Sequence, residues 1–515
     1  MEIALHKFWN RIVREYQLKT SFLSTAIFFF IAHGYGMVIY APSHDATMVV
    51  SCDDYYQYTY GRWAVPYYYE YIRHRINTNW FNIIVCCIAI ALTVALISNL
   101  LKLGRWQTIM VAGVLSVNIT LICQFATFIQ GADTEGISVL LAVLLVFLVD
   151  KYKNSLIKLV GSLCLCVSMG FYGANIDVAI GLILIIIIIR ALNEEYDFKS
   201  YAKYGFMQLL YLGVGCIFYV LATKFFEYRT GIGMGGGYNG PGRLLGMSKR
   251  ELVLGLISGM GDAYRYMYKY FLAPLSSRVE WVYALLFVLA MVLFVWQCVK
   301  IRKNWVAIVE AVGALLLFTL GINALLALSM GAIHRIMVYS YNMVLVLIIA
   351  LAAMATINDI HYIIKSAVSV LLCVYLFMNS LFANDVYFYK QRVYEKSYLA
   401  AYEVYLDVMD MEGFDPATTD IYIVDNGTDE DNFGYNNELV EQIIYEGAKE
   451  SGLVNSAFTH PITIGWFYYF VYGINLRWEV DESYYDNAKV QKMPCYPYDG
   501  YIDWVDDSLV VKLSR

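Results

Sequence analysis

Long, uniformly apolar runs separated by short polar interruptions dominate the first three quarters of the chain. They fall at 21–40, 80–101, 106–129, 136–150, 157–173, 175–191, 205–226, 281–299, 305–330, 334–356 and 363–383. Most approach the 20 or so residues that a helix needs to cross about 30 Å of hydrocarbon. The pattern therefore predicts a mainly α, polytopic helical membrane protein of about 11 spans. Near 384 the pattern changes, and Asp, Glu, Asn and Tyr replace the Leu/Ile runs. Residues 389–411 read as a charged helix, and 419–424 alternate as a strand does. Residues 436–450 read as a helix and 508–513 as a closing strand, while the apolar patch 462–472 is too short to span and reads as a buried strand or helix. The division is thus 1–383, a transmembrane domain, and 384–515, a small α/β domain.

Charge orients these segments. Lys7, Arg11, Arg14 and Lys19 precede the first run, which places the N-terminus on the cytoplasmic side. The inner connections then carry Lys102 and Arg105; Lys151, Lys153 and Lys158; Arg190, Lys199 and Lys203; and Lys300, Arg302 and Lys303. The short turns 130–136 and 172–177 carry no Lys or Arg and read as outer. The principal outer loops are 41–79, 130–136 and 227–280, and an odd number of spans leaves the C-terminal domain extracytoplasmic. The first run lacks a small-residue cleavage site and reads as a retained span rather than a signal peptide.

Composition narrows the partners. The 515 residues are 59% hydrophobic with a net charge of −6 and no long basic run, which points to the lipid bilayer and away from nucleic acid. Seven scattered histidines offer no zinc spacing, and most of the ten cysteines lie inside apolar runs, so no disulfide framework is implied.

Candidate chemistry gathers in the outer loops. Loop 41–79 holds His44-Asp45, Asp53-Asp54 and Gly61-Arg62-Trp63. Paired acids in a loop are ordinarily solvated surface, and Asp45 also suits a helix cap. If 53–63 is helical, however, Asp54, Tyr58 and Arg62 share a face, with Asp54 and Arg62 about 12 Å apart along the axis. That spacing suits a carboxylate base and a guanidinium fork for phosphate at the two ends of a sugar phosphate. Asp133 and Glu135 close the second outer turn. They read either as first-turn acids favoured by the helix dipole or as site carboxylates, for acceptor positioning or a divalent cation such as Mg²⁺ or Mn²⁺. His334-Arg335 read as a snorkelling anchor or a second phosphate contact. Tyr67, Tyr68, Tyr69 and Tyr71 read as an interfacial belt on an amphipathic helix. The glycine-dense stretch 231–246 matches no phosphate-loop pattern and reads as a linker or a mobile gate.

The order of these motifs resembles the bacterial GtrII-type glucosyltransferases, polytopic enzymes of the GT-C class that modify O-antigen and other surface glycans. The resemblance rests on His44-Asp45, Asp53-Asp54 and Gly61-Arg62-Trp63 after the first span. It continues through Asp133-Thr134-Glu135, Gly170-Phe171-Tyr172-Gly173-Ala174-Asn175, and the tail from Met493-Pro494-Cys495-Tyr496-Pro497 to Leu513. It implies a GT-C-like fold in the bacterial cytoplasmic (inner) membrane, a polyprenyl-phosphate sugar donor, a glycan or lipid-linked glycan acceptor, and a first-loop carboxylate, Asp53 or Asp54, as base. His44, Asp45, Arg62, Trp63, Asp133, Glu135, His334 and Arg335 are the expected substrate contacts. The competing readings are a lipid-linked glycan flippase or transporter, a non-catalytic envelope scaffold, and a GT-C enzyme that moves another sugar. A transporter needs a polar route through the spans; the polar residues there, Asn118, Gln124, Asn175, Asp177 and Asn323, are sparse.

Overall fold

The computed structural model describes residues 17–42, 54–193, 197–234, 248–272, 280–325, 335–354, 359–424 and 464–513. The chain divides into two compact units. The first contains Met1–Met37, Asp54–Gln124 and Gly131–Ala383; the second contains Asn384–Arg515 with Val38–Asp53 and Phe125–Gln130.

The helices follow in order: α1 Leu18–Val38, α2 Tyr55–Thr59, α3 Ala64–Tyr67, α4 Asn79–Leu100, α5 Arg105–Ser116, α6 Ile119–Thr127, α7 Ala132–Lys151, α8 Ser155–Phe171, α9 Ile176–Ala191, α10 Phe198–Thr230, α11 Lys249–Leu272, α12 Glu280–Lys300, α13 Trp305–Gly321, α14 Asn342–Ala353 and α15 Asp359–Met409. Each predicted apolar run is helical over most of its described residues. Among the described residues eight helical segments are long and apolar enough to cross a membrane, and the runs at Ser155–Phe171, Trp305–Gly321 and Tyr339–Ala353 form shorter apolar helices. The chain is a polytopic helical membrane protein.

Small residues set the helix spacing. A Cβ on Gly136 of α7 would lie 2.8 Å from the Cα of Cys86 in α4, so only glycine lets the two backbones approach this closely. The polar residues inside spans mark breaks. Asn118, between α5 and α6, donates to the carbonyls of Val114 and Leu115 and accepts from the Leu121 amide. After α13, Asn323 donates to the Thr319 carbonyl, and both oxygens of Asp177 accept from the Leu325 amide. Backbone freed from helix bonds within a membrane must be satisfied by protein, and these side chains do it.

Two expectations change here. The stretch 227–280, expected as an outer loop, contains the 24-residue α11. Its Tyr264 hydroxyl donates to the Leu316 carbonyl of α13. The apolar run 334–356 opens with two short 3-10 turns, Arg335–Met337 and Tyr339–Tyr341, before α14 begins.

The second unit is built on a four-stranded sheet, with β1 Asp420–Val424, β2 Arg477–Glu479, β3 Ile502–Val505 and β4 Ser508–Lys512 in the order β2-β1-β4-β3. β1 pairs parallel with β2 and β4, and β3-β4 is an antiparallel hairpin. Ile421, Ile423, Leu509 and Val511 bury one face with Ala401, Val404, Val408, Phe467 and Tyr468; Val424 and Val510 bury the other. This is the alternation that a sheet covered on both sides requires. The patch expected at 462–472 is a short helix, α16 Ile464–Phe467, continued by a π-turn Tyr468–Tyr472. The helix expected at 436–450 lies outside the described residues.

Candidate active site

The segment between α1 and α4 supplies the first side chains. It is not one continuous helix. α2 ends at Thr59, and Gly61 takes a left-handed φ of +71°. The expected common face of Asp54, Tyr58 and Arg62 therefore does not form, because the turn at Gly61 breaks the helical spacing between Asp54 and Arg62. The turn is locked by the Tyr219 hydroxyl, which donates to the Gly61 carbonyl at 3.2 Å. A Cβ at Gly61 would lie 2.4 Å from that hydroxyl.

Four carboxylates and four arginines sort themselves from this point. Asp54 is held by both terminal nitrogens of Arg75, at 3.2 and 2.8 Å, while Nε of Arg75 donates to Glu70 at 2.9 Å. Asp133, in the first turn of α7, is fully buried and takes Nη1 of Arg73 on both oxygens at 3.2 and 3.1 Å. The Thr134 amide also donates to it. Burial, and the Asp133 carboxylate nearby, push the Tyr68 phenol's pKa up. The Arg73 guanidinium lies 4.0 Å over the Tyr69 ring.

Glu135 differs. One oxygen accepts from Nδ2 of Asn175 at 3.1 Å, and the same Nδ2 lies 3.1 Å from Oγ of Ser138. Ser138 is tied in turn to Ser168. The second oxygen, Oε2, is buried with no hydrogen-bond partner, and the residue is 2% exposed. Arg62 lies near enough for its charge to act on Glu135 and on Tyr172.

Tyr172 joins the parts. The Arg62 guanidinium sits 4.8 Å over its ring, and its hydroxyl donates to the Ile336 carbonyl at 3.2 Å. That bond fixes the turn carrying Arg335, which is buried at 9% exposure rather than snorkelling at a surface. Trp63 is packed as well: its indole stacks on Phe226 at 5.0 Å, and a Cβ on Gly170 would meet its ring at 2.7 Å. Of the expected belt, Tyr68 and Tyr69 are buried, while Tyr71 is exposed. Burial raises the Tyr58 hydroxyl to about 12.

The structure thus places Arg62 over Tyr172, ties the turn that carries Arg335 to the Tyr172 hydroxyl, and holds Asp133 in the Arg73 clamp. His44, Asp45, Asp53 and His334 lie outside the described residues, as does most of the glycine-dense stretch. Sequence reasoning missed Arg73 and Arg75. Their signal was present: two arginines within a loop read as outer run against the positive-inside pattern, and that departure marks cations held by local acids. Among the described residues no group of three or more His, Cys, Asp or Glu side chains is placed to hold a metal ion.

The family described as Glucosyl transferase GtrII matches residues 34–351. That span covers every site residue named above. No curated protein and no solved structure matches the chain.

Proposed function

Because the chain belongs to the GtrII glucosyltransferase family and is a membrane glycosyltransferase, we propose that it moves glucose from a polyprenyl-phosphate donor to a surface glycan acceptor on the outer side of the bacterial cytoplasmic membrane. The observation that carries this reading is the convergence on Tyr172. Arg62 lies over its ring, the turn bearing Arg335 hangs from its hydroxyl, and Glu135 feels the charge of Arg62. Two guanidinium groups suit a phosphate, and a buried carboxylate suits sugar hydroxyls.

The transfer is a single inverting displacement. The acceptor hydroxyl oxygen attacks the anomeric carbon, its proton passes to a first-loop carboxylate, and the C1–O bond breaks through an oxocarbenium-like state. The electron pair leaves with polyprenyl phosphate. Arg62 and Arg335 stabilise the charge that grows on the departing phosphate. Asp54 suits the role of base in one respect: Arg75 fixes its orientation through one lone pair on each oxygen, and each oxygen keeps another. Asp53 is the alternative base. A prenyl chain that stays in the bilayer gives a reason for building the site at helix ends.

The test is transfer in native membranes from radiolabelled polyprenyl-phosphate glucose, comparing wild type with Asp53→Asn and Asp54→Asn at equal membrane insertion. Loss of a general base costs about a hundredfold or more, so one of the two variants is expected to fall by that much. Full activity in both refutes the first-loop base, and a wild type inert towards this donor refutes the donor. Parallel runs with Mg²⁺, with Mn²⁺ and with EDTA test the divalent cation.

A further inference from the structure

Asp54 and Asp133 each give both oxygens to an arginine, whereas Glu135 gives one oxygen to Asn175 and leaves Oε2 buried and unpartnered. An unmade hydrogen bond at a buried charged group costs more than one made in water gains, so such an atom points to a missing donor. The carboxylate is also held rigidly. Asn175 opens α9, Glu135 lies in the first turn of α7, and Ser138 and Ser168 lock the two helices' network from behind.

The charge of Arg62 acts on Glu135, and its guanidinium is fixed over Tyr172. Arg62 attracts the donor phosphate, and Glu135 repels it, so the carboxylate must face the sugar. The hydroxyl next to the phosphate-bearing carbon is the 2-hydroxyl. Hydrogen bonds to that group strengthen as the ring approaches its oxocarbenium-like state.

We infer that Oε2 of Glu135 accepts the hydrogen bond of the donor sugar's 2-hydroxyl, so that the enzyme selects sugars in which that hydroxyl is free. The inference rests on the polyprenyl-phosphate reading and deepens it. It assigns Glu135 to donor selection rather than to the acceptor, and it turns away 2-deoxy sugars, which carry no donor at that position. Sites built to bond a substrate hydroxyl reject analogues lacking it by up to about 10⁴-fold.

The experiment measures kcat/KM in membranes for polyprenyl-phosphate-linked glucose, 2-deoxyglucose and 3-deoxyglucose, with wild type and Glu135→Gln. The expected result has three parts. Wild type loses at least about a hundredfold on the 2-deoxy donor; Glu135→Gln loses a similar factor on glucose; and the variant loses little more when given the 2-deoxy donor, while the 3-deoxy penalty is the same in both proteins. Losses that multiply instead of overlapping would overturn the inference, because they would mean that residue and hydroxyl act independently. Equal wild-type transfer from glucose and 2-deoxyglucose would overturn it without any variant, and would leave the polyprenyl-phosphate donor standing. Failure of wild type on all three donors overturns donor and inference together.

Discussion

At the scale of single residues, the site is governed by which acid meets which arginine. Arg73 and Asp133 are 60 positions apart and form a buried pair with side chains 2% and 0% exposed. Burying both charges is costly, and the pair offsets that cost only while both partners are present. Arg73→Met is therefore expected to lose about 3–5 kcal/mol of stability, the scale of an orphaned buried charge, measured as the unfolding midpoint of detergent-solubilised protein. Arg73→Met combined with Asp133→Leu is expected to recover most of it. If the single variant is as stable as wild type, Asp133 is not held as described here. Asp54 is partly exposed, so the Arg75 pair contributes orientation more than stability.

Among the helices and turns, close approach matters more than side-chain chemistry. Glu135 and Asn175 meet because α7 and α9 begin at the same level, and α7 reaches its position because Gly136 lets it lie directly against α4. Gly136→Leu is expected to push these helices apart at a cost of about 1–3 kcal/mol, the usual range for overpacking, read from the same unfolding midpoint. A wild-type midpoint in that variant would mean that the contact is looser than 2.8 Å. The helix breaks are equally local. Asn118, Asp177 and Asn323 are taken up by backbone groups at interrupted helices. These three polar residues are thus accounted for by local backbone bonding at helix breaks.

For the molecule as a whole, the expected arrangement puts an odd number of spans between a cytoplasmic N-terminus and an extracytoplasmic C-terminal unit. The C-terminal sheet, with its own two-sided core, has the build of an independently folded body. A periplasm-active reporter fused after Leu513 is expected to be active, and one fused within the connection 151–154 inactive. The reverse pattern would invert the whole topology and move the proposed site to the cytoplasmic face.

The apolar runs determined the helices by themselves, because a span satisfies its own backbone in lipid and needs little beyond sufficient apolar length. The change of pattern near 384 likewise announced the sheet-bearing region, although the short β2 and β3 carried too few alternating positions to be read. The family motifs marked Arg62, Asp133 and Glu135, and the outer end of a predicted span added Arg335, without showing how these groups pair. That was decided by the tertiary structure. Gly61 breaks the helix expected to align Asp54 with Arg62, Arg75 and Arg73 take up Asp54, Glu70 and Asp133, and Tyr172 holds Arg62 and the Arg335 turn. Such pairings depend on where the ends of separate helices come to lie, and that is fixed by packing between segments far apart in the chain rather than by the pattern within any one of them.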